Sequence, residues 1–144
     1  MSWVLASWQF WAGMAAVFAA LTAIFAKIGV AGVDSDLATW LRTLVVALAL
    51  GVLVWVTGKA RGLGAISPRT ALFLVLSGLA TGASWLCYFR ALSLGPAGRV
   101  APVDKLSVVL VAIFAALFLG ETLSPAAWAG VGLIAAGAVL VALG

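Results

Sequence analysis

The sequence predicts an all-α integral membrane protein of five transmembrane helices, on three observations. Hydrophobic residues fill 66% of the 144 positions and charged residues 8%, whereas about a quarter of the residues in a soluble domain are charged. Five stretches are each long and apolar enough for a crossing, because a helix rises about 1.5 Å per residue through a hydrocarbon layer about 30 Å thick. The connections between them are short, which makes sequential helices antiparallel neighbours. Five crossings are expected to leave the two ends on opposite sides of the membrane.

The first helix is expected over about 7–31, ending among Gly29 and Gly32. Met1, Ser2 and Trp3 carry no basic leader and the apolar run continues past Ala20, so this start reads as a span and not as a cleaved signal peptide. Asp34, Ser35 and Asp36 then offer capping oxygens and negative charge to the start of a second helix over about 37–57. Gly58 to Ile66, with Lys59 and Arg61, reads as a basic, glycine-containing loop. Ser67 followed by Pro68 places a capping residue ahead of proline at the first helical position, so a third helix opens there and runs to about 94. Gly95, Pro96 and Gly98 interrupt it. A fourth helix is expected over about 100–119, with Pro102 tolerated inside its first turn. After the turn Gly120 to Thr122, Ser124 and Pro125 repeat the cap-and-proline device, and a fifth helix extends over 125–143 without a charge.

The net charge of +4 comes from single, scattered bases, and no cluster forms a phosphate-binding patch, so no nucleic-acid partner is expected. Cys87 is the one cysteine and histidine is absent, which removes disulfide frameworks, zinc sites and the commonest general base. Cys87 reads as a buried, inert thiol. No nucleophile–base pair, metal-ligand spacing or phosphate loop is found, so neither an enzyme nor a cofactor is expected. The bases also bear on orientation. Lys59, Arg61 and Arg69 fall on the side of the first residues, and Lys27, Arg90 and Arg99 on the other. The positive-inside rule needs an excess on one side and finds a tie. Arg42 and Lys105 tip the count towards the C-terminal side, but both lie inside predicted spans. A chain without a charge bias can insert both ways, and two opposed copies are expected to pair as an antiparallel homodimer.

From Ser77 onward the pattern resembles one EamA repeat of the drug/metabolite transporter superfamily. The residues that carry the resemblance are Ala91 and Leu92 within Trp85 to Leu92, then Ala101, Pro102 and Val103, then Leu119 to Ser124, and finally Gly130 to Gly137. Its most specific piece is Pro102 and Val103 opening a helix that closes on Leu119, Gly120 and Glu121. The resemblance implies a single EamA-type transmembrane domain over 1–144, similar to the half-sized bacterial members and hence multi-pass in the cell inner membrane. Larger relatives carry two five-helix repeats of opposite topology, with the substrate site at the repeat interface near the midplane. A lone repeat regains that arrangement by pairing with an inverted copy. One departure matters: small multidrug exporters of the superfamily use a carboxylate within their first helix, and here that helix has none. Proton-coupled exchange through that residue is therefore not carried over.

Asp104 and Lys105 are the sharpest candidates for a gate or coupling pair. At the centre of a span each charge costs about 2.5–3.5 kcal/mol, while each Leu, Ile, Phe or Val returns only about 0.3–0.6 kcal/mol. Adjacent positions on a helix do not face each other, so each residue is expected to find a partner elsewhere. Arg42 joins Lys105 as a candidate for binding an anionic or zwitterionic substrate, because intramembrane charges usually mark pathways. For Lys27, Arg90 and Arg99, structural bonds and snorkelling are at least as good an account. On the third helix Ser77, Thr81, Ser84 and Tyr88 recur at four, three and four residues and draw a polar stripe. Trp85 and Tyr88, too deep for an interfacial belt, suit a substrate cavity. Thr81, Ser84, Trp85, Tyr88, Arg42 and Lys105 are thus the expected substrate contacts. The alternative for the stripe is helix packing, since Gly78 and Gly82 permit close approach. Gly130, Gly132 and Gly137 suggest tight contacts of the fifth helix within or between subunits. Trp8, Trp11, Trp40, Trp55 and Trp128 fit aromatic belts, and Glu121 fits a structural role at a helix start.

These readings converge on a secondary transporter of small metabolites, amino-acid-like or otherwise amphiphilic, working by alternating access in the homodimer. The alternatives are a non-transporting structural or regulatory subunit, a half-transporter needing a distinct partner chain, and a channel.

Overall fold

The computed structural model describes residues 7–144 and shows helices and no strand among them. Met1, Ser2 and Trp3, on which the reading of the start as a span partly rests, lie outside the described residues. Helix α1 covers Trp8–Gly29, α2 Ser35–Val56, α3 Pro68–Leu94, α4 Ala97–Asp104, α5 Leu106–Phe114 and α6 Pro125–Leu143. A 3-10 segment, Lys59–Ala65, joins α2 to α3, and a π-helical segment, Ala115–Leu119, extends α5. Counting 97–119 as one span, five segments have the length and apolarity to cross a bilayer.

Each long helix begins on a device visible in the sequence. The Ser7 hydroxyl accepts from the Phe10 N–H at 3.3 Å. The Asp34 carboxylate accepts from the Asp36 and Leu37 N–H groups at 2.9 and 3.1 Å. Ser67 and Ser124 accept from the Thr70 and Ala127 N–H groups at 3.1 and 3.2 Å, with Pro68 and Pro125 in the first helical position. These bonds satisfy donors that a helix start leaves without an intrahelical acceptor, which matters most where lipid cannot supply one. At the exits from α2 and from the π-helical segment, Gly58 and Gly120 take φ of 69° and 68°, a left-handed backbone that residues with a Cβ avoid.

Two expectations about this frame are corrected. The segment after Gly58 is not an open loop: Lys59–Ala65 winds as a 3-10 helix that folds against α2. The fourth span is not one helix from residue 100. Gly95 and Pro96 suffice to end α3, and α4 opens at Ala97, so Pro102 sits in the sixth helical position and not in the first turn. There its missing N–H withholds a bond from the Gly98 carbonyl. The helix stops two residues later at Asp104, Lys105 forms a turn, and α5 starts afresh. Further along, the Gly120 N–H donates to the Ala115 carbonyl and closes the wide π-helical turn, and the Glu121 N–H reaches the same carbonyl at 3.1 Å.

The chain divides into two compact units, one formed by the residues up to Phe25 together with Leu94–Gly144, the other by Ala26–Ser93. In the first, α4 and α5 pack closely on α6. Arg99 near the start of α4 donates to the Gly144 carbonyl beyond the end of α6 at 2.7 Å, so these elements run antiparallel. In the second unit the buried side chains are Ala26, Val30, Ser35, Thr39, Phe89 and Leu92, all gathered where α1 ends, α2 begins and α3 ends. The Lys27 ammonium fastens that end by donating to the Leu92 carbonyl at 2.6 Å. Away from it, Leu48, Val52, Trp55, Leu72, Val75 and Leu79 are exposed. Such an apolar exterior is expected where lipid tails or other membrane-embedded helices, and not water, surround the helices.

Candidate functional site

The second unit brings together three of the expected site residues. Arg42 lies seven residues into α2, about 10 Å along its axis, and Trp85 lies nine residues before the end of α3. Because α2 and α3 are antiparallel here, these positions meet. The guanidinium carbon stands 4.0 Å from the centre of the Trp85 ring and 5.5 Å from that of Phe89. Positions 85 and 89 share a helix face, and Phe89 is buried beneath the pair. The Tyr88 side chain, half-buried, lies within electrostatic reach of Arg42. A cation over aromatic faces gains about 0.5–2 kcal/mol, the larger figure where water is excluded. That stacking offsets part of the cost of holding a guanidinium within a span.

The ring contacts satisfy the guanidinium by cation–π attraction and use none of its hydrogen bonds to oxygen. No carboxylate and no hydrogen-bond acceptor among the described residues is bonded to Arg42. No buried side-chain nitrogen or oxygen among them lacks a partner, so the unbonded Arg42 nitrogens sit at an accessible surface. Phe89 was not singled out by the sequence, where it is one more apolar residue on an apolar helix. Its only signal there is the four-residue spacing from Trp85.

Thr81 and Ser84 are exposed on α3. The Thr81 hydroxyl donates to the Ser77 carbonyl of its own helix at 2.8 Å, so it makes no bond across helices. A Cβ added at Gly78 or Gly82 would meet nothing within 4 Å. Close helix packing at this stripe is therefore not made among the described residues. The same holds for Gly130, Gly132 and Gly137 of α6.

The first unit holds the other two candidates, and here an expectation is corrected. Asp104 and Lys105 do not need distant partners. The Lys105 ammonium donates to the Asp104 carboxylate at 3.2 Å, with both side chains substantially exposed. Two residues inside one regular helix would diverge. Lys105 forms the turn between α4 and α5, and there its ammonium reaches the neighbouring carboxylate. Cys87 is also corrected: its thiol is exposed on α3, because positions 85, 89 and 92 turn towards the interior of the unit and 87 is carried to the opposite side. Of the bases with expected structural roles, Lys27 and Arg99 bond backbone carbonyls as described, and Arg90 is exposed near the end of α3. Trp8, Trp11, Trp40 and Trp55 are exposed towards helix ends, as belt residues would be.

Arg42 is thus a cation on an aromatic floor, carried by helices long and apolar enough to cross a bilayer. The model of the EamA-like transporter family matches residues 6–143. The chain belongs to the EamA-like transporter family. A Sinorhizobium sp. protein described as an uncharacterized transporter in the cobO 3′ region is 61% identical over 137 residues, covering 95% of this chain and 97% of that one. No solved structure matches the chain. This EamA-like chain is thus a multi-pass membrane transporter embedded in the lipid bilayer, and not an enzyme. Five spans in so short a chain fit a half-sized member with a single repeat.

Proposed function

We propose that this EamA-like chain is a secondary transporter of small amphiphilic metabolites, amino-acid-like solutes among them, in the bacterial inner membrane. The whole chain acts as one transmembrane domain, and two copies of opposite orientation form the working dimer and alternate access to a site between repeats. The observation that carries the reading is Arg42 stacked on Trp85 within the spanning segments, with its hydrogen-bonding edge unclaimed. A charge so placed is expensive unless it serves a pathway. Trp85, Tyr88, Thr81 and Ser84 supply the substrate surface beside Arg42. Asp104 and Lys105, at a break in a spanning segment, serve as the gate and coupling pair. Discontinuous helices recur at transporter sites because the break frees backbone dipoles for ions and substrates.

Purified protein in proteoliposomes, offered a panel of radiolabelled amino acids and amphiphilic acids with and without a pH gradient, tests this directly. Accumulation of at least one solute is expected. Single cysteines placed at Trp85 and Tyr88 in a Cys87→Ser background should react with water-soluble thiol reagents in sealed vesicles. Failure of both positions to react would remove the site, whatever the panel shows.

A further inference from the structure

We infer that the Arg42 stack is a seat for organic monocarboxylates, so that the transported solute is an anion with an apolar body and not a zwitterion or a cation. This rests on the reading of Arg42, Trp85 and Tyr88 as the substrate site and narrows the amphiphilic solutes proposed there, zwitterionic amino acids included, to the anionic ones. A guanidinium carries five N–H donors in one plane, and a ring stacked on its face leaves every one of them pointing outward. That planar fork matches a carboxylate's two oxygens, and the bond is charge-assisted. The other partnered cations show the contrast: Lys27 and Arg99 each reach a backbone carbonyl, and Lys105 reaches Asp104. Arg42 meets ring faces and lies within electrostatic reach of the Tyr88 hydroxyl, with no oxygen hydrogen-bonded to it among the described residues.

The surroundings favour an anion over a zwitterion. The acids of the second unit are Asp34 and Asp36. The Asp34 carboxylate is engaged by two backbone N–H groups at the start of α2, and Asp36 accepts from the Ser35 hydroxyl at 3.3 Å. Both lie at the first turn of α2, about 9–12 Å along the axis from Arg42. An ammonium group placed beside the guanidinium would meet a like charge and no carboxylate of this unit. An apolar body meets the half-buried Trp85 and Tyr88 rings instead. A bound carboxylate also neutralises the Arg42 charge within the membrane, which lowers the cost of holding both there.

The test is equilibrium binding of benzoate to the purified protein in phosphatidylcholine nanodiscs, beside two probes of similar shape, neutral benzamide and cationic benzylamine, and zwitterionic phenylglycine. Benzoate should bind about tenfold or more tightly than any of the three, the margin of a charge-assisted fork. Arg42→Gln should erase that preference, and Arg42→Lys, which keeps the charge and loses the fork, should retain part of it. Equal binding of phenylglycine or benzylamine, or a preference that survives Arg42→Gln, overturns the carboxylate seat. The wild-type ranking alone decides the point if Arg42→Gln does not fold. Benzoate binding that Trp85→Ala and Tyr88→Ala both leave unchanged instead overturns the underlying site. Displacement of benzoate when phosphatidylglycerol replaces the neutral lipid would assign the seat to a lipid headgroup and overturn the inference as well.

Discussion

At the scale of single residues, the chain separates bases that hold the fold from one base that the fold holds. Lys27 donates to the Leu92 carbonyl in the last turn of α3, where carbonyls lack intrahelical donors. Lys27→Met should lower stability by about 1.5–3 kcal/mol, the range for a hydrogen bond to a charged group, measured as a shift in the denaturation midpoint in detergent. Arg42→Gln should leave that midpoint within about 1–2 kcal/mol of wild type, since it removes only a stacking interaction, yet reduce initial uptake in proteoliposomes by about tenfold or more. A large loss of stability without a loss of uptake would reverse these two roles. The sequence made Arg42 and Trp85 legible separately, one as a charge in a span and the other as an aromatic too deep for the belt. It did not make the contact legible, nor Phe89, because that contact depends on how α2 and α3 come together at the end where Ser35, Thr39 and Leu92 are buried.

At the scale of elements, the five apolar stretches were readable because a bilayer imposes one rule on them all: backbone groups must be satisfied within the segment. The caps at Asp34, Ser67 and Ser124 followed from residue chemistry alone. The interior of the fourth span was not readable. Gly95, Pro96, Ala97 and Gly98 together resemble a long breaker, yet only the first two break anything, and shifting the start by one turn changes Pro102 from harmless to disruptive. That same shift produces the Lys105 turn and lets neighbouring charges pair. Pro102→Ala would restore the N–H to the Gly98 carbonyl and is expected to join α4 to α5. Proline in a helix interior costs about 3 kcal/mol relative to alanine, so thermal stability should rise. Uptake should slow if the Asp104–Lys105 turn serves as the gate. Circular dichroism and a single-turnover uptake trace check the two halves separately.

For the whole molecule, most of the surface is apolar and only a small part of each unit is closed off, so neighbours in the membrane supply much of the packing. A Cβ at Gly130, Gly132 or Gly137 of α6 would meet nothing among the described residues, which leaves room there for such neighbours. If two opposed copies are the functional form, orientation itself becomes a variable. Gly62→Lys with Gly64→Lys adds two bases beside Lys59 and Arg61 and breaks the charge tie. Reporter fusions at the C-terminus should then move from activity on both sides to one side. Uptake should fall in proportion to the lost inverted copies and return when an oppositely biased variant is co-expressed. Reporter activity confined to one side in the unmodified chain would rule out dual insertion.

The side chains that close the second unit lie at one end of α2 and α3, around Ser35, Thr39, Phe89 and Leu92. Two rods clasped at one leaflet behave as tweezers: rotation at the clasp is small, and displacement grows along the arms. Over 15 residues, about 22 Å of helix, a swing of roughly 10° carries the far tips about 4 Å apart, close to the width of a methyl group. Arg42 sits near the clasp, where the arms scarcely move. A swing of that kind would leave the guanidinium on its aromatic floor while it changed the spacing at the far end of the same pair.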